Sequence, residues 1–300
     1  MLSILENELL FLWYYSEVQI RQLFGFWALG ILIGSFVAVF LKNKIHQTMA
    51  KLNSHISWFL GLIFSSLLGL VSPLCMYGTI PIVAALSRTN VKQEWIASFM
   101  MSSVLLNPQL FIFSLYLGTD VAIIRLLACL FVGVLAGVLC RVFFKEKEFF
   151  TFTKFSGGHN HDTDPNLLIR YLKNVYRNLK VTLPYFLIGI LLTSLYQRYI
   201  PSENIIEFFR EYKELGAFIT ASIGVPLYVC GGGTIPLIDA MLNSGVSVGS
   251  AVAFMLSGAA TKLTNLGAMK IVLGAKNFLI YILFCVISAV FTGITIDLIL

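Results

Sequence analysis

The chain has 300 residues, 58% of them hydrophobic and only 12% charged, with a mean hydropathy of +0.85 and a formal net charge of +6. A soluble domain carries about a quarter charged residues, so this composition excludes a water-soluble globule and implies an all-α polytopic membrane protein with 8–10 membrane segments. The apolar runs are about 20 residues long, the length of a spanning helix rather than the ~10 of a barrel strand.

In chain order, residues 1–19 carry Glu6, Glu8 and Glu17 and no basic stretch before the first apolar run, which argues against a signal peptide. The stretch "ILENELLFLWYY" reads as an interfacial helix with aromatic anchors. Full-length spans are expected at 23–41, 95–117, 121–143, 181–199, 247–273 and 277–299. Two other apolar stretches, 56–90 and 215–243, are too long for one crossing and too short for two at ~1.5 Å of rise per residue. Each reads as a helix, a break and a shorter helix. Between the halves lies the polar "GGHNHDTD" (Gly157–Asp164). Its His159, His161, Asp162 and Asp164 are either a metal-collecting loop or a plain linker. The expected organisation is 1–150 as a first membrane repeat with the interfacial helix, 151–166 as a cytoplasmic linker, and 167–300 as a second membrane repeat.

The two unusual stretches carry one motif twice. "CMYGTIP" runs from Cys75 to Pro81 and "CGGGTIP" from Cys230 to Pro236, 155 residues apart. Aligned there without gaps, positions 75–103 and 230–258 share ten identities over 29 positions, and "GILIGS" at Gly30–Ser35 echoes "GILLTS" at Gly189–Ser194. Charge orients the halves. The segment 141–180 holds eight Lys or Arg, and 42–55 holds Lys42, Lys44 and Lys51, so both are expected on the cytoplasmic side. That demands an even number of crossings between them. The segment 56–90 must then return to the side it came from, which makes the second half inverted relative to the first. Both termini and the acidic loop 200–214 fall on the outer side.

Inverted halves with discontinuous helices near the midplane are how secondary transporters build a substrate site, and the expected mechanism is alternating access around the two motifs. Broken backbone in lipid is tolerable only where protein or a water-filled cavity satisfies its polar groups. Glycine permits the turn, and proline removes a donor. A helix starting near Thr79 or Thr234 offers free N–H groups and a partial positive charge. The residues expected to line the path are therefore Cys75, Tyr77, Gly78, Thr79 and Pro81 in the first motif, and Cys230, Gly231, Gly232, Gly233, Thr234 and Pro236 in the second. Asn107 and Pro108 mark a kink, and Asp239, Lys262, Thr264 and Asn265 are polar groups in apolar surroundings.

These motifs resemble the ArsP/YraQ-like predicted permeases. "SPLCMYGTIPIVAALSR" with "ASFMMSSVLLNPQLF" matches that family's first repeat, and "VPLYVCGGGTIPLIDAMLNSGVSVGSAVAFMLSGAATKLTNL" matches its second. The resemblance covers roughly residues 15–295 and implies export of a trivalent organoarsenical or a soft metal ion. Cys75 and Cys230 keep the family's cysteines, while Tyr77 stands where the family has a second one. The family's Gly-Pro-Ala-Thr-Asn turn reads here as Gly258, Ala259, Ala260, Thr261 and Lys262.

Several readings stay open. Cys75 and Cys230 are soft-metal ligands or small apolar fillers. Lys262, read as mid-span, is a functional charge or a snorkelling one. Asp239 is its counter-charge, a proton carrier or a solvated residue. Lys262 with helix N-termini would alternatively serve an anion transporter or a channel-like subunit. An intramembrane thiol enzyme is a third reading, but His46, His55, His159 and His161 all lie in or beside loops, leaving no base in a span. All five cysteines lie in apolar segments without a CxxC spacing, so no disulfide framework is expected. No nucleotide-binding motif and no cofactor are expected. The partners implied are the lipid bilayer and a small solute or ion, with no nucleic acid; a homo-oligomer is left open.

Overall fold

The computed structural model describes residues 2–36, 39–40, 57–72, 76–87, 91–144, 166–199, 221–222, 235–243 and 245–300. Among these the chain is helical, without strands. The first helix, α1, runs unbroken over Leu2–Phe36. The interfacial helix expected over 1–19 is therefore not separate; it continues into the first apolar run, because no Gly or Pro interrupts the N-terminal stretch.

Helix α7 (Leu167–Tyr199) lies against α1 and runs antiparallel to it. Ser16, near the middle of α1, donates at 3.1 Å to Ser194, near the end of α7. Asn178 donates to Ser35 at 2.9 Å and the Tyr171 hydroxyl to the Leu32 carbonyl at 3.3 Å, near the opposite ends.

Within 56–90 the described residues form two helices, α2 (Trp58–Val71) and α3 (Met76–Ser87). Ser72 is extended (φ −65°, ψ 120°). It precedes Pro73, whose ring disfavours a helical residue before it.

The span expected at 95–117 is not one helix. It is α4 (Gln93–Leu105) and α5 (Pro108–Ser114), the latter continued by a 3-10 turn at Leu115–Leu117, and the two parts are bent by 41°. The proline forbids continuation, and Asn107 before it is extended at φ −133°, ψ 170°. Gly118 then turns the chain with φ 110°, a region costly for any residue with a Cβ. Helix α6 (Thr119–Phe143) follows as a full apolar span.

Helices α2, α4 and α6 pack together through small residues, as membrane helices do when no hydrophobic effect drives them. The Ser66 and Ser102 hydroxyls hydrogen-bond at 2.6 Å, and Ser98 donates to the Leu62 carbonyl at 3.0 Å. A Cβ on Gly133 of α6 would collide with the Ser102 hydroxyl, so glycine permits this approach.

In the second half, α8 (Ile235–Asn243) leads to α9 (Val248–Thr261) and α10 (Leu263–Ile299). The expected full span 247–273 is likewise broken, at Lys262 (φ −53°, ψ 143°), and α10 kinks at Gly274 (φ 72°, ψ 170°). Among the described residues, Thr119–Phe143 and Val272–Ile299 are long and apolar enough to cross a membrane, and the bent α4–α5 pair makes a third such crossing if counted as one span.

One succession of boundaries occurs twice. Gln93 and Val248 begin equivalent helices 155 residues apart, and Asn107 and Lys262 stand in equivalent breaks at the same spacing. The positive-φ glycines Gly118 and Gly274 are 156 apart, so the second half has one additional residue between break and turn. Contacts repeat at the later spacing. Arg141 reaches Glu94 at 3.3 Å, and Asp297 accepts from the Gly249 N–H at 2.7 Å and from the Ser247 hydroxyl at 2.7 Å. In both halves the last turns of the long span thus hold the start of the broken one, by an ion pair in the first and by a carboxylate cap in the second.

Candidate functional site

Helix ends are where backbone groups lose their intrahelical partners, and the first half brings two such ends together. Helix α3 begins at Met76, and α4 ends at Leu105, just before the break at Leu106–Asn107. Thr79, fully buried one turn into α3, hydrogen-bonds to Ser103 in the last turn of α4 at 3.0 Å. An N-terminus whose N–H groups have no intrahelical partner therefore meets a C-terminus whose carbonyls have none. Asn107 restarts the chain: its side-chain oxygen accepts from the Leu110 N–H at 2.9 Å, with Pro108 at the first helical position, where a missing N–H costs nothing.

"CMYGTIP" is not wholly a breaker. Met76 to Pro81 is already helical, and the break lies just upstream. Pro81 sits one turn into α3, where it forgoes a single intrahelical bond, and Pro236 is the second residue of α8, where it forgoes none. Tyr77 and Gly78 belong to the first turn of α3.

In the second half, Lys262 is not mid-helix as read from the sequence. It is the half-buried residue between α9 and α10, at the position equivalent to Asn107. Side chains also bond carbonyls in the last turns of α9. The Thr261 hydroxyl donates to the Ser257 carbonyl at 2.6 Å, and the Tyr281 hydroxyl donates to the Ala260 carbonyl at 2.7 Å from beyond the α10 kink. Thr264 and Asn265 fall in the first turn of α10. Asp239 is exposed on α8 and accepts from Asn243 at 3.3 Å, so it is helical rather than in a loop.

The two halves interlock at these places. Helix α3 packs against α10, and α8 packs against the turn at Leu115–Leu117, so the motif helix of each half leans on the other half's chain after the break. Equivalent helices α4 and α9 also touch.

Cys75, Cys230, Gly231, Gly232, Gly233 and Thr234, with the whole "GGHNHDTD" segment, lie outside the described residues. Among the described residues no group of three or more His, Cys, Asp or Glu could hold a metal ion. Cys129, Cys140 and Cys285 are buried free thiols.

Two functional candidates escaped the sequence reading. Arg125 is fully buried in α6 and donates to the Ser114 hydroxyl at 2.7 Å, which in turn donates to the Leu110 carbonyl at 2.7 Å. A charged residue within an apolar run was the available signal. Tyr281 had none, because its role depends on the kink at Gly274. Each lies seven residues beyond the turn glycine of its half, so the two are equivalent.

A cleft of about 740 Å³ opens between α4, the end of α6 and α10, with Met100, Met101, Cys140, Met269, Lys276 and Tyr281 on its walls. It is largely apolar, with Asn277 and Lys276 as its polar edge.

The family model described as a predicted permease, ArsP, matches residues 14–298. The UPF0718 protein YcgR of Bacillus subtilis is 22% identical over 272 residues, covering 88% of this chain and 89% of its own length. The UPF0718 protein MJ0584 of Methanocaldococcus jannaschii is 22% identical over 174 residues, covering 58% of this chain and 42% of its own length. No solved structure matches the chain.

Proposed function

The chain belongs to that family of predicted permeases, and from this premise we propose that it is a secondary-active permease of the cell membrane that exports a small toxic solute. Family membership points to a transporter rather than an enzyme. The observation that carries the reading is the meeting of broken helix ends at Thr79 and Ser103, completed by contacts from the other half. Unpaired N–H and carbonyl groups inside a bilayer are stable only around a cavity or a ligand. The inverted arrangement of the halves is supported by the antiparallel course of α1 and α7, whose "GILIGS" and "GILLTS" segments correspond. It is supported again by the last turns of α6 and the first turns of the final span lining one cleft.

The solute class rests on the paired cysteines Cys75 and Cys230, which suit a thiophilic species such as a trivalent organoarsenical or a soft metal ion. A second reading has its own observation: Lys262 occupies a break and directly precedes the N-terminus of α10. A cation beside free N–H groups suits an anionic solute.

The test is uptake into everted vesicles from a sensitive host, with trivalent arsenicals, zinc, copper and oxyanions as probes. Wild type is compared with Cys75→Ser, Cys230→Ser and Lys262→Ala. Uptake of a thiophile that the serine variants abolish supports the first reading. Oxyanion uptake that only Lys262→Ala abolishes supports the second. No flux of any probe by well-folded wild type counts against both.

A further inference from the structure

The two halves are built alike but are not in the same state. Helix α9 packs directly against α6. The equivalent pair, α4 and the part of α10 beyond Gly274, is parted by the 740 Å³ cleft. The difference shows residue by residue at the 156-residue spacing of the final spans. Asn277 and Phe284 are part-exposed on the cleft wall, whereas their equivalents Val121 and Ala128 are buried at 9% and 6%. Off the cleft the same helices are exposed in both halves: Leu279 is 67% exposed and its equivalent Ile123 51%, and Leu298 is 81% exposed and its equivalent Val142 64%. On the cleft wall the asymmetry shows at Asn277 and Phe284.

We propose that the cleft is the solute's access path from one face of the membrane, that the packed α9–α6 contact is the same path closed on the other face, and that the transport cycle exchanges the two. This rests on the permease reading above. A chain folded from two near-equivalent halves has two arrangements of similar energy, with either one open, and a ligand shifts their populations. The open side is the one bearing Phe143, Phe144 and Lys276, next to Arg141 and the basic segment 141–180. That charge places the cleft toward the cytoplasm. Its walls fit a solute with an apolar body among Met100, Met101, Met269 and Phe284 and an acceptor group facing the Lys276 and Asn277 edge.

The side chains at equivalent positions are unlike. Where the open side has Tyr281, the closed side has Arg125, fully buried. Exchange would bring Arg125 to the wall of the outward path, as Tyr281 is on the inward one. Ala128 stands where the open side has Phe284, so the closed contact is made over a small side chain.

The experiment uses the full-length chain in vesicles, with a charged, membrane-impermeant thiol reagent and mass spectrometry to assign each adduct. Cysteines are introduced one at a time as Asn277→Cys and Val121→Cys. Asn277→Cys is expected to label from the cytoplasmic face. Val121→Cys is expected to label about 10- to 1,000-fold more slowly, as befits a minor state, and only from the outer face. Adding Ala128→Phe wedges the closed contact. Under the proposal it raises labelling at Val121→Cys and lowers it at Asn277→Cys. A wedge that merely loosens the fold raises both, and that result overturns the exchange. Equal labelling of the two cysteines in the otherwise unchanged chain, or labelling of both from one face, also overturns it. A reciprocal shift in a protein that moves none of the solutes tested would leave the exchange standing and count against the permease reading alone.

Discussion

Asn107 and Lys262 occupy equivalent places in the two halves, 155 residues apart, each the extended residue immediately before a helix that restarts after a break. Their chemistry differs. Asn107 uses its side chain to cap the new helix, whereas Lys262 makes no such cap at the start of α10. The break in the first half is enforced locally by a proline. In the second half it is enforced by the fold around it, including the Tyr281 hydroxyl on the last turn of α9.

Replacing Asn107 removes a cap from a break that Pro108 would still impose. Asn107→Ala is expected to cost about 1 kcal/mol of stability, with Asn107→Ser close to wild type. Thermal unfolding in detergent reads this directly, and an alanine variant as stable as wild type would show the cap to be idle.

Thr79 and Ser103 join the two breaks of the first half inside the core. Thr79→Val keeps the shape and deletes the bond, at a cost of about 1 kcal/mol or more if Ser103 is left unsatisfied. Thr79→Ser should behave as wild type in unfolding and in vesicle uptake. If Thr79→Val is harmless and Thr79→Ser is not, the methyl packing of threonine matters and the hydrogen bond does not.

Gly133 faces Ser66 and Ser102 so closely that a methyl group has no room. Gly133→Ala should destabilise by about 1–3 kcal/mol through overpacking. Adding Ser102→Ala removes the hydroxyl in the way and should restore part of the loss. A double variant worse than the single one would refute this close approach.

Asp297 and Arg141 do the same work with different strength. Asp297 accepts from the Gly249 N–H and the Ser247 hydroxyl at a helix start, so Asp297→Ala should cost about 1–2 kcal/mol. The Arg141–Glu94 pair is longer and partly solvated, so Glu94→Gln should cost about 0–1 kcal/mol. Unfolding curves that reverse this order would contradict the assignment of the stronger hold to the carboxylate cap.

The inverted arrangement makes a claim about sidedness that a fused reporter can check. A reporter placed within 145–165 should read cytoplasmic, and one at either terminus should read external. A cytoplasmic signal from a terminus would mean that the halves run in the same direction.

Much of the architecture was legible before any coordinates. Low charge and 20-residue apolar runs leave a chain no stable option except a helical membrane fold, because unpaired backbone cannot face lipid. The end of α2 at Ser72, before Pro73, and the kink at Asn107–Pro108 are local events, dictated by proline, and the sequence announces both. The break at Lys262 is different. "GAATKLTN" contains no proline, and its residues are compatible with a continuous helix. What stops α9 there is the contact with α10 beyond Gly274, and a contact between distant residues has no local signature. Arg125 was visible as a charge within an apolar run, but its hold on Ser114 was not.

By itself, then, the sequence determined the class of the protein, its internal duplication and the places where proline must break a helix, since hydropathy and backbone sterics act over a few residues. Only the tertiary structure decided that the two breaks of the first half meet at Thr79 and Ser103, that Lys262 is a break rather than a span residue, and that one side of the molecule is packed while its equivalent stands open. These depend on how helices far apart in the chain choose among packings of nearly equal energy. In a duplicated chain, the local sequence cannot settle that choice, because it says nearly the same thing twice.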